Sequence, residues 1–413
     1  MLMHSLELKE RCHINKNSES DTFVGIQCVN GDITINFPLG YNLAQGGKDL
    51  RKDILLLFST LAKHTRRKDS EILGQAVSFD EVDFPVQSYM YLIKDYIAKG
   101  YYQEQEVTYK TSKKGKINWN RTIKTQRPYV QDHEVFYLDF VTKKNTVNEN
   151  ELITQIHKYC VYESFEKIGW LFTESMPQKP DVKRNERLFK IVINKKLSNT
   201  FDDQKRMLFT HMLAVIDFMG DSDRDKNFCY GTYRFEYVWE SMIDKVFGIA
   251  GKAAYFPKTT WKLKGQNAHD NAPLEPDTIM VHGRNVYVLD AKYYKYGIKP
   301  EPKFLPESSS IHKQITYGEY VASEPKFKIK HGSDMKVFNA FLMPFDALKW
   351  ENPDGEAIVN IGEATGNWKD GSELYHHIQG ILVDVKSLMQ VTVRRDENMI
   401  MKMAEVIEAG LST

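Results

Sequence analysis

Residues 23–41, FVGIQCVNGDITINFPLGY, alternate apolar and polar positions on either side of Asn30-Gly31. Period-two alternation belongs to half-buried strands, and Asn-Gly tolerates positive φ at both centres of a type I′ turn, so the segment predicts a β-hairpin. The next segment, DLRKDILLLFSTLAKHTRRK (49–68), spaces its apolar residues helically and ends in basic residues that complement the helix dipole. VQSYMYLIKDYIAKG (86–100) predicts a second amphipathic helix closed by Gly100, and YYQEQEVTYK (101–110) returns to strand alternation. A helical layer follows in 148–172 and 201–220. It breaks at GDSDRDKNFCYG (220–231), a loop that lacks the glycine and glutamate spacing of a calcium loop.

The last third of the chain mixes both periods. In YRFEYVWESMIDKVFG (233–248), Phe235, Val238, Trp239, Met242 and Val246 form one helical stripe, while Glu236, Glu240 and Asp244 share another face. Strands are expected in AAYFPKTTWKL (253–263), DTIMV (277–281) and NVYVLDAKYY (285–294), the last two joined by a tight turn containing Gly283. A proline-rich loop, a helix in IHKQITYGEYVAS (311–323), strands in MKVFNAFLMPF (335–345) and GILVDVKSLM (380–389), and a closing helix over 396–410 complete the pattern. Helices and strands mixed in this order predict an α/β chain. We divide it into an N-terminal α+β domain over 1–145 and, over 146–413, a helical layer with a second domain built on a central mixed sheet flanked by helices.

Composition narrows the class. A chain of 413 residues with 42% hydrophobic and 27% charged residues is long enough for two or three cores and too apolar for general disorder. Four cysteines at irregular spacings fit reduced thiols rather than a disulfide framework. The first twenty residues lack the apolar run of a signal peptide, and no window approaches eighteen uncharged apolar residues, so a cytoplasmic protein without membrane insertion is expected. Net charge is +1, yet residues 110–127 hold Lys110, Lys113, Lys114, Lys116, Arg121, Lys124 and Arg127 around Trp119 with no acid among them. That cluster suits contact with phosphates or with a protein partner, or it is simply a solvated basic loop.

The candidate chemistry lies in PLEPDTIMVHGRNVYVLDAKYYKYG (273–297). A hairpin of this length brings Asp277, at the start of one strand, to the same end as Asp290, near the end of the other. Alternation puts Lys292 on the face of Asp290. Two hard oxygen ligands, the Ala291 backbone carbonyl and an ammonium then converge on one point, which is equipment for metal-assisted phosphodiester hydrolysis with Mg²⁺, for which Mn²⁺ is a substitute. Lys292 would hold the attacking water or stabilise developing negative charge. Glu240, with Glu236 as second choice, would complete the site from the preceding helix, although such acids are as often a solvated helix face. Gln314 on the following helix would orient the lysine, touch DNA or serve structure. The tripeptide pattern Asp-x-Lys recurs at Asp181–Lys183 and Asp384–Lys386, but only Asp290 combines it with an upstream Pro-Asp hairpin and flanking helices.

These residues resemble the PD-(D/E)XK nuclease superfamily. More narrowly, PDTIMVHGRNVYVLDAKYYK resembles the nuclease segment of the McrC family, and GKINWNRTI (115–123) resembles a segment in the N-terminal part of McrC proteins. Length and layout are similar to the McrC-like subunit of LlaJI-type restriction endonucleases. The resemblance implies a Mg²⁺-dependent endonuclease subunit of a phage-defence restriction system. Such a subunit cuts double-stranded DNA under control of an McrB-like AAA+ GTPase whose GTP hydrolysis it stimulates, and homodimerises through the nuclease domain during cleavage. It implies Asp277, Asp290 and Lys292 as nuclease residues. It also makes Lys113, Lys114, Lys116, Trp119, Arg121 and Lys124 candidates for ring contact as well as DNA contact. The chain has no GxxxxGK[ST] motif, so no nucleotide is expected to bind it. A self-contained homodimeric type II enzyme and a nuclease-like adaptor that only activates a GTPase are the competing readings.

Overall fold

The computed structural model describes residues 5–19, 21–30, 32–66, 85–131, 133–147, 151–218, 228–350, 355–391 and 395–411. The chain forms two compact units, one from Met3–Asp83 together with Lys226–Thr413, the other from Phe84–Asp225. The division expected at residue 145 is therefore corrected: the N-terminal segment belongs with the C-terminal half, and the middle of the chain stands as the second unit. The physical reason is a strand pairing across two hundred residues or more. The strands β1 (Cys12–Ile14), β2 (Val24–Val29), β3 (Asp32–Phe37) and β9 (Phe228–Thr232) make one sheet in the order β1-β3-β2-β9. In it Ile26 faces Tyr230, with Gly25 against Gly231. The β2–β3 hairpin is the expected one, with Val29 opposite Asp32 and Asn30 at φ 53°.

The first unit is an α/β structure around a five-stranded mixed sheet. Its strands are β12 (Thr278–His282), β13 (Asn285–Ala291), β14 (Val337–Phe345), β15 (Ile358–Ala364) and β16 (Ile378–Asp384), in the order β12-β13-β14-β16-β15. The β13–β14 and β14–β16 pairs are parallel and the outer pairs antiparallel. Every residue of β14 is buried, as expected for a central parallel strand covered on both faces. Helices α8 (Phe235–Phe247), α9 (Ser308–Ser323) and α12 (Glu397–Gly410) cover the sheet. Alternation in β13 distributes its side chains: Val286 and Val288 pack with Tyr317 and Val321 of α9, while Tyr287 points the other way to Glu408 of α12. Also in this unit are α1 (Ser5–Glu10), α2 (Gly47–Arg66), the short pair β10 (Thr260–Trp261) and β11 (His269–Asp270), α10 (Pro325–His331) and α11 (Val385–Val391).

Two expectations for this unit need correction. Residues 253–263 are not a strand: Lys252–Tyr255 is a 3-10 helix and only Thr260–Trp261 pairs with another strand, because Pro257 lacks the N–H that a ladder needs. The segment 380–389 is half strand and half helix, turning at Asp384, whose carboxylate accepts the Ser387 N–H at 2.8 Å and so starts α11. Strand β15, at the sheet edge, had no sequence expectation. The aspartate loop read against calcium lies mostly in 219–227, outside the described residues.

The second unit contains α3 (Val86–Lys99), closed by Gly100, the three-stranded sheet β4 (Gln105–Thr111), β8 (Val141–Val147) and β5 (Lys116–Ile117), helix α4 (Trp119–Thr125), the hairpin β6 (Pro128–Gln131) with β7 (Glu134–Tyr137), and helices α5 (Leu152–Ile168), α6 (Glu186–Asn199) and α7 (Asp203–Phe218). The helical layer is as expected, with α3, α5 and α7 packed together around Ile156, Cys160, Phe209 and Met212. Among the described residues no helix is long and apolar enough to cross a membrane.

Candidate active site

The β12–β13 register decides where the acids meet. Thr278 stands opposite Leu289 and His282 opposite Asn285, leaving Gly283 at φ 58° and Arg284 as a two-residue turn. One step beyond Thr278, Asp277 falls opposite Asp290, and its Oδ2 accepts the Ala291 N–H at 2.8 Å. Lys292 reaches back along the same face, its Nζ 2.6 Å from Asp290 Oδ2. Both side chains are largely enclosed, at 20% and 11% exposure, so solvent weakens their attraction little.

Helix α8 supplies the third acid. Its buried stripe, Phe235, Val238, Trp239, Met242 and Val246, is the expected one. Trp239 fixes the helix by donating Nε1–H to the Leu342 carbonyl at 3.3 Å, and the Lys292 N–H donates to the same oxygen at 2.8 Å. Packing of Phe235 and Trp239 on Tyr293 adds a second tie. Glu240, next to Trp239, is thereby held beside Asp290 and Lys292. Burial, foremost, and then the charges of Asp290 and Glu236 push its carboxyl up to about 7, while Lys292 and Lys252 oppose the rise. Glu236 turns outward to Arg234, 3.1 Å away. Asp277 is held well above the ordinary carboxylate range, by burial first and by Asp290 and Glu240 next. Burial works against the charge of Lys292, but Asp290 outweighs it and keeps the ammonium pKa up.

Several residues that position this cluster carried no signal in the sequence. Lys252 donates from Nζ to the Asp277 carbonyl at 2.6 Å and pairs with Asp244 Oδ1 at 2.8 Å. It therefore bridges the third acid of the α8 face to the start of β12. Asp244 thus belongs to the scaffold, not to the carboxylate cluster. Leu342 serves through its carbonyl, which no side-chain pattern could reveal. Gln314 is 1% exposed and donates from Nε2 to the Val288 carbonyl at 2.7 Å, so the structure brings it to the β13 backbone and not to Lys292. Lys313, one residue earlier, lies nearer the acids: burial opposes its charge, but Tyr317, Asp290 and Asp277 raise its pKa.

The charge of Asp290 helps to raise the carboxyl pKa of both Asp277 and Glu240, so the three acids repel one another and a divalent cation would relieve the repulsion. The donor chemistry fits Mg²⁺, which needs only one or two protein carboxylates beside water and phosphate oxygens. Among the described residues no three His, Cys, Asp or Glu side chains already converge as a complete ligand set. Asp277 and Asp290 with the Ala291 carbonyl are therefore the donors on offer. The other Asp-x-Lys on a strand behaves differently: Lys386 pairs with Asp53 at 2.7 Å and donates to the Asn42 carbonyl, so it is spent on structure.

In the second unit, the segment 115–123 is a strand, a cap and a helix. Asn118 accepts the Arg121 N–H at 3.0 Å as N-cap of α4, and Thr122 is buried, its Oγ1 accepting the Val141 N–H at 2.9 Å. Lys113, Lys114, Lys116 and Lys124 are exposed, Trp119 is 54% exposed, and the Arg121 guanidinium lies 3.7 Å from the Tyr109 ring centroid. The adjoining β6–β7 hairpin leaves Tyr129, Val130, Val135 and Phe136 about half exposed or more. The basic segment thus comes with an apolar surface that the sequence reading did not single out.

Comparison with known proteins bears on both units. A family model described as LlaJI restriction endonuclease matches residues 23–352, a stretch that includes Asp277, Asp290 and Lys292. Among curated proteins, the type II restriction enzyme BsuMI component YdjA of Bacillus subtilis (strain 168) is 27% identical over 319 residues, which is 72% of this chain. The chain spans 66% of the length of that relative. Among solved structures, a refined half-complex from a tetradecameric assembly of Thermococcus gammatolerans McrB AAA+ hexamers with bound McrC is similar over 94% of this chain and 83% of that one, at 14% identity and a TM-score of 0.38. With most of its length matched by the family model, the chain belongs to the LlaJI restriction endonuclease family.

Proposed function

We propose that the chain is the Mg²⁺-dependent nuclease subunit of a cytoplasmic restriction system, hydrolysing phosphodiester bonds of double-stranded DNA under control of an McrB-like AAA+ GTPase. The observation that carries the reading is the convergence of Asp277, Asp290, Lys292 and Glu240 at one end of β13. Family membership supports a restriction nuclease, and the curated relative is itself named a component, which fits a subunit that works with others.

Asp277 and Asp290, with the Ala291 carbonyl, would hold the cation. Bound there, it would polarise the phosphate and supply hydroxide at neutral pH. Lys292, pinned by Asp290, presents a fixed ammonium where negative charge develops on the phosphate oxygens. Glu240, with its carboxyl near 7, is suited to accept the proton of the attacking water. The exposed α4 and β6–β7 surface, with Trp119, Arg121 and the lysines around them, is the surface we assign to the GTPase partner.

The test is plasmid cleavage with Mg²⁺ by wild type and by Asp290→Ala, each alone and with the partner GTPase and GTP. Cutting only by wild type with partner and GTP is expected. Specific cutting by the isolated chain without nucleotide would favour the homodimeric type II reading, and equal cutting by Asp290→Ala would refute the nuclease site.

A further inference from the structure

The first unit also holds a cavity of about 990 Å³ beside the end of the catalytic strand, at the upper end of the range for small-ligand sites. After that strand its lining begins at Lys295, three residues beyond Lys292. Between them Tyr293 is clamped, its hydroxyl accepting the Leu39 N–H at 2.7 Å and its carbonyl accepting the Asn17 amide at 3.2 Å. Residues 295–300 then form one wall, and the opposite wall comes from residues around β1 and from the end of β14. A glycine makes the path possible: a Cβ on Gly297 would lie 2.2 Å from the Pro344 carbonyl oxygen.

Two kinds of group line this space. Tyr296, Phe304 and Trp350 give it flat aromatic surfaces, with the Tyr296 and Trp350 ring centroids 6.3 Å apart. Lys16, Lys295, Lys299 and Lys349 give it ammonium groups, of which Lys299 already meets Glu301 at 3.4 Å. The lining carboxylate, Asp346, already faces Lys349 at 3.2 Å and accepts from Asn42 at 2.9 Å. Flat apolar walls with an excess of cations suit a ligand that is planar at one end and anionic at the other. Base stacking on aromatics with lysines along the phosphates is the general solution for unpaired nucleotides.

We propose that this cavity binds an unstacked nucleotide, its base against the Tyr296 and Trp350 wall and its phosphate between Lys16 and Lys295. The nucleotide is either part of a DNA strand entering the nuclease site, which rests on the function proposed above, or a free mononucleotide. In the first case the cavity holds the strand in register beside Lys292.

The test measures binding of a fluorescein-labelled single-stranded pentanucleotide by anisotropy, with EDTA present so that no cutting occurs, and with dAMP as competitor. The full chain is compared with Lys16→Glu, Lys295→Glu, Trp350→Ala and, as a charge reversal outside the cavity, Lys328→Glu on the exposed face of α10, each checked for an unchanged thermal melt. The cavity variants should each weaken binding about tenfold or more, as expected for loss of a phosphate or stacking contact, while Lys328→Glu should not. Lys16 is exposed, so its variant reports on charge even if Trp350→Ala fails to fold. Competition by dAMP at similar concentration identifies a free nucleotide as the ligand, and binding of the pentanucleotide without such competition identifies a strand. Binding of neither probe, or equal binding by the cavity variants, overturns the proposal. A wild type that binds the probe but never cuts plasmid with partner, GTP and Mg²⁺ leaves the cavity standing and removes the nuclease reading. A wild type that cuts but binds neither probe removes the cavity alone.

Discussion

Replacing Lys252 by methionine keeps the length of the side chain and deletes its charge, which isolates what the ammonium does. It makes two charge-assisted contacts, to the Asp277 carbonyl at 2.6 Å and to Asp244 at 2.8 Å. Such contacts contribute about 1.5–3 kcal/mol each when enclosed. The Lys252 and Asp244 side chains are 30% and 27% exposed, so water would replace part of what is lost. A total destabilisation of about 2 kcal/mol is therefore expected. The effect on cutting should be larger, because the freed carbonyl belongs to Asp277 itself, the residue whose carboxylate meets the Ala291 N–H in the cluster. A misplacement on the order of 1 Å at a reacting centre costs roughly a hundredfold in rate. The assay is plasmid cleavage with partner, GTP and a Mg²⁺ titration, run beside urea unfolding of the same preparations. Lys252→Met should cut about a hundredfold more slowly and need more Mg²⁺, with Lys252→Arg recovering most of the loss. If Lys252→Met cuts like wild type with an unchanged Mg²⁺ requirement, the bridge does not position Asp277 and the reasoning fails.

Three further outcomes follow from other parts of the molecule. Gly297→Ala places a Cβ 2.2 Å from the Pro344 backbone oxygen and 2.7 Å from Phe345 Cβ, so it should lower stability by about 3 kcal/mol, seen as a shifted thermal melt; an unshifted melt would mean that β14 yields there. His157 is fully buried and its Nδ1 accepts the Tyr102 N–H; burial pushes its pKa down from 6.5 to about 4, against a smaller opposing pull from Asp95. The unfolded chain takes up the proton first, so the stabilisation is complete above pH 6.5 and lost as pH falls towards 4, by roughly 3 kcal/mol in all; His157→Gln should flatten that part of the stability profile, and an identical slope in wild type and variant would contradict it. Phe136→Ser, at a side chain 47% exposed, should leave the thermal melt unchanged while GTPase stimulation falls at least about tenfold, and unchanged stimulation would remove this hairpin from the partner surface.

How much of this was legible in the sequence depended on the range of the interaction involved. The β2–β3 hairpin, the apolar stripe of α8 and the Asp277–Asp290 hairpin are local, set by turn residues and by periods of two and 3.6, and the structure has them as read. Pro257 interrupts the segment 253–263 and leaves only Thr260–Trp261 paired, and that too was in the letters, but strand-like spacing concealed it. The sequence by itself thus determined the α/β class, the family, and the pairing of Asp290 with Lys292. It could not place the boundary between units, because Ile26 meets Tyr230 only when strands two hundred residues apart find each other. It could not separate Glu240 from Glu236 and Asp244, since all three share one helix face. What separates them is tertiary: Trp239 and Lys292 share the Leu342 carbonyl and bring Glu240 to the acids, Arg234 draws Glu236 outward, and Lys252 binds Asp244 to the scaffold. Periodicity assigns a residue to a face, whereas the partner that meets that face is chosen by contacts distant in the chain.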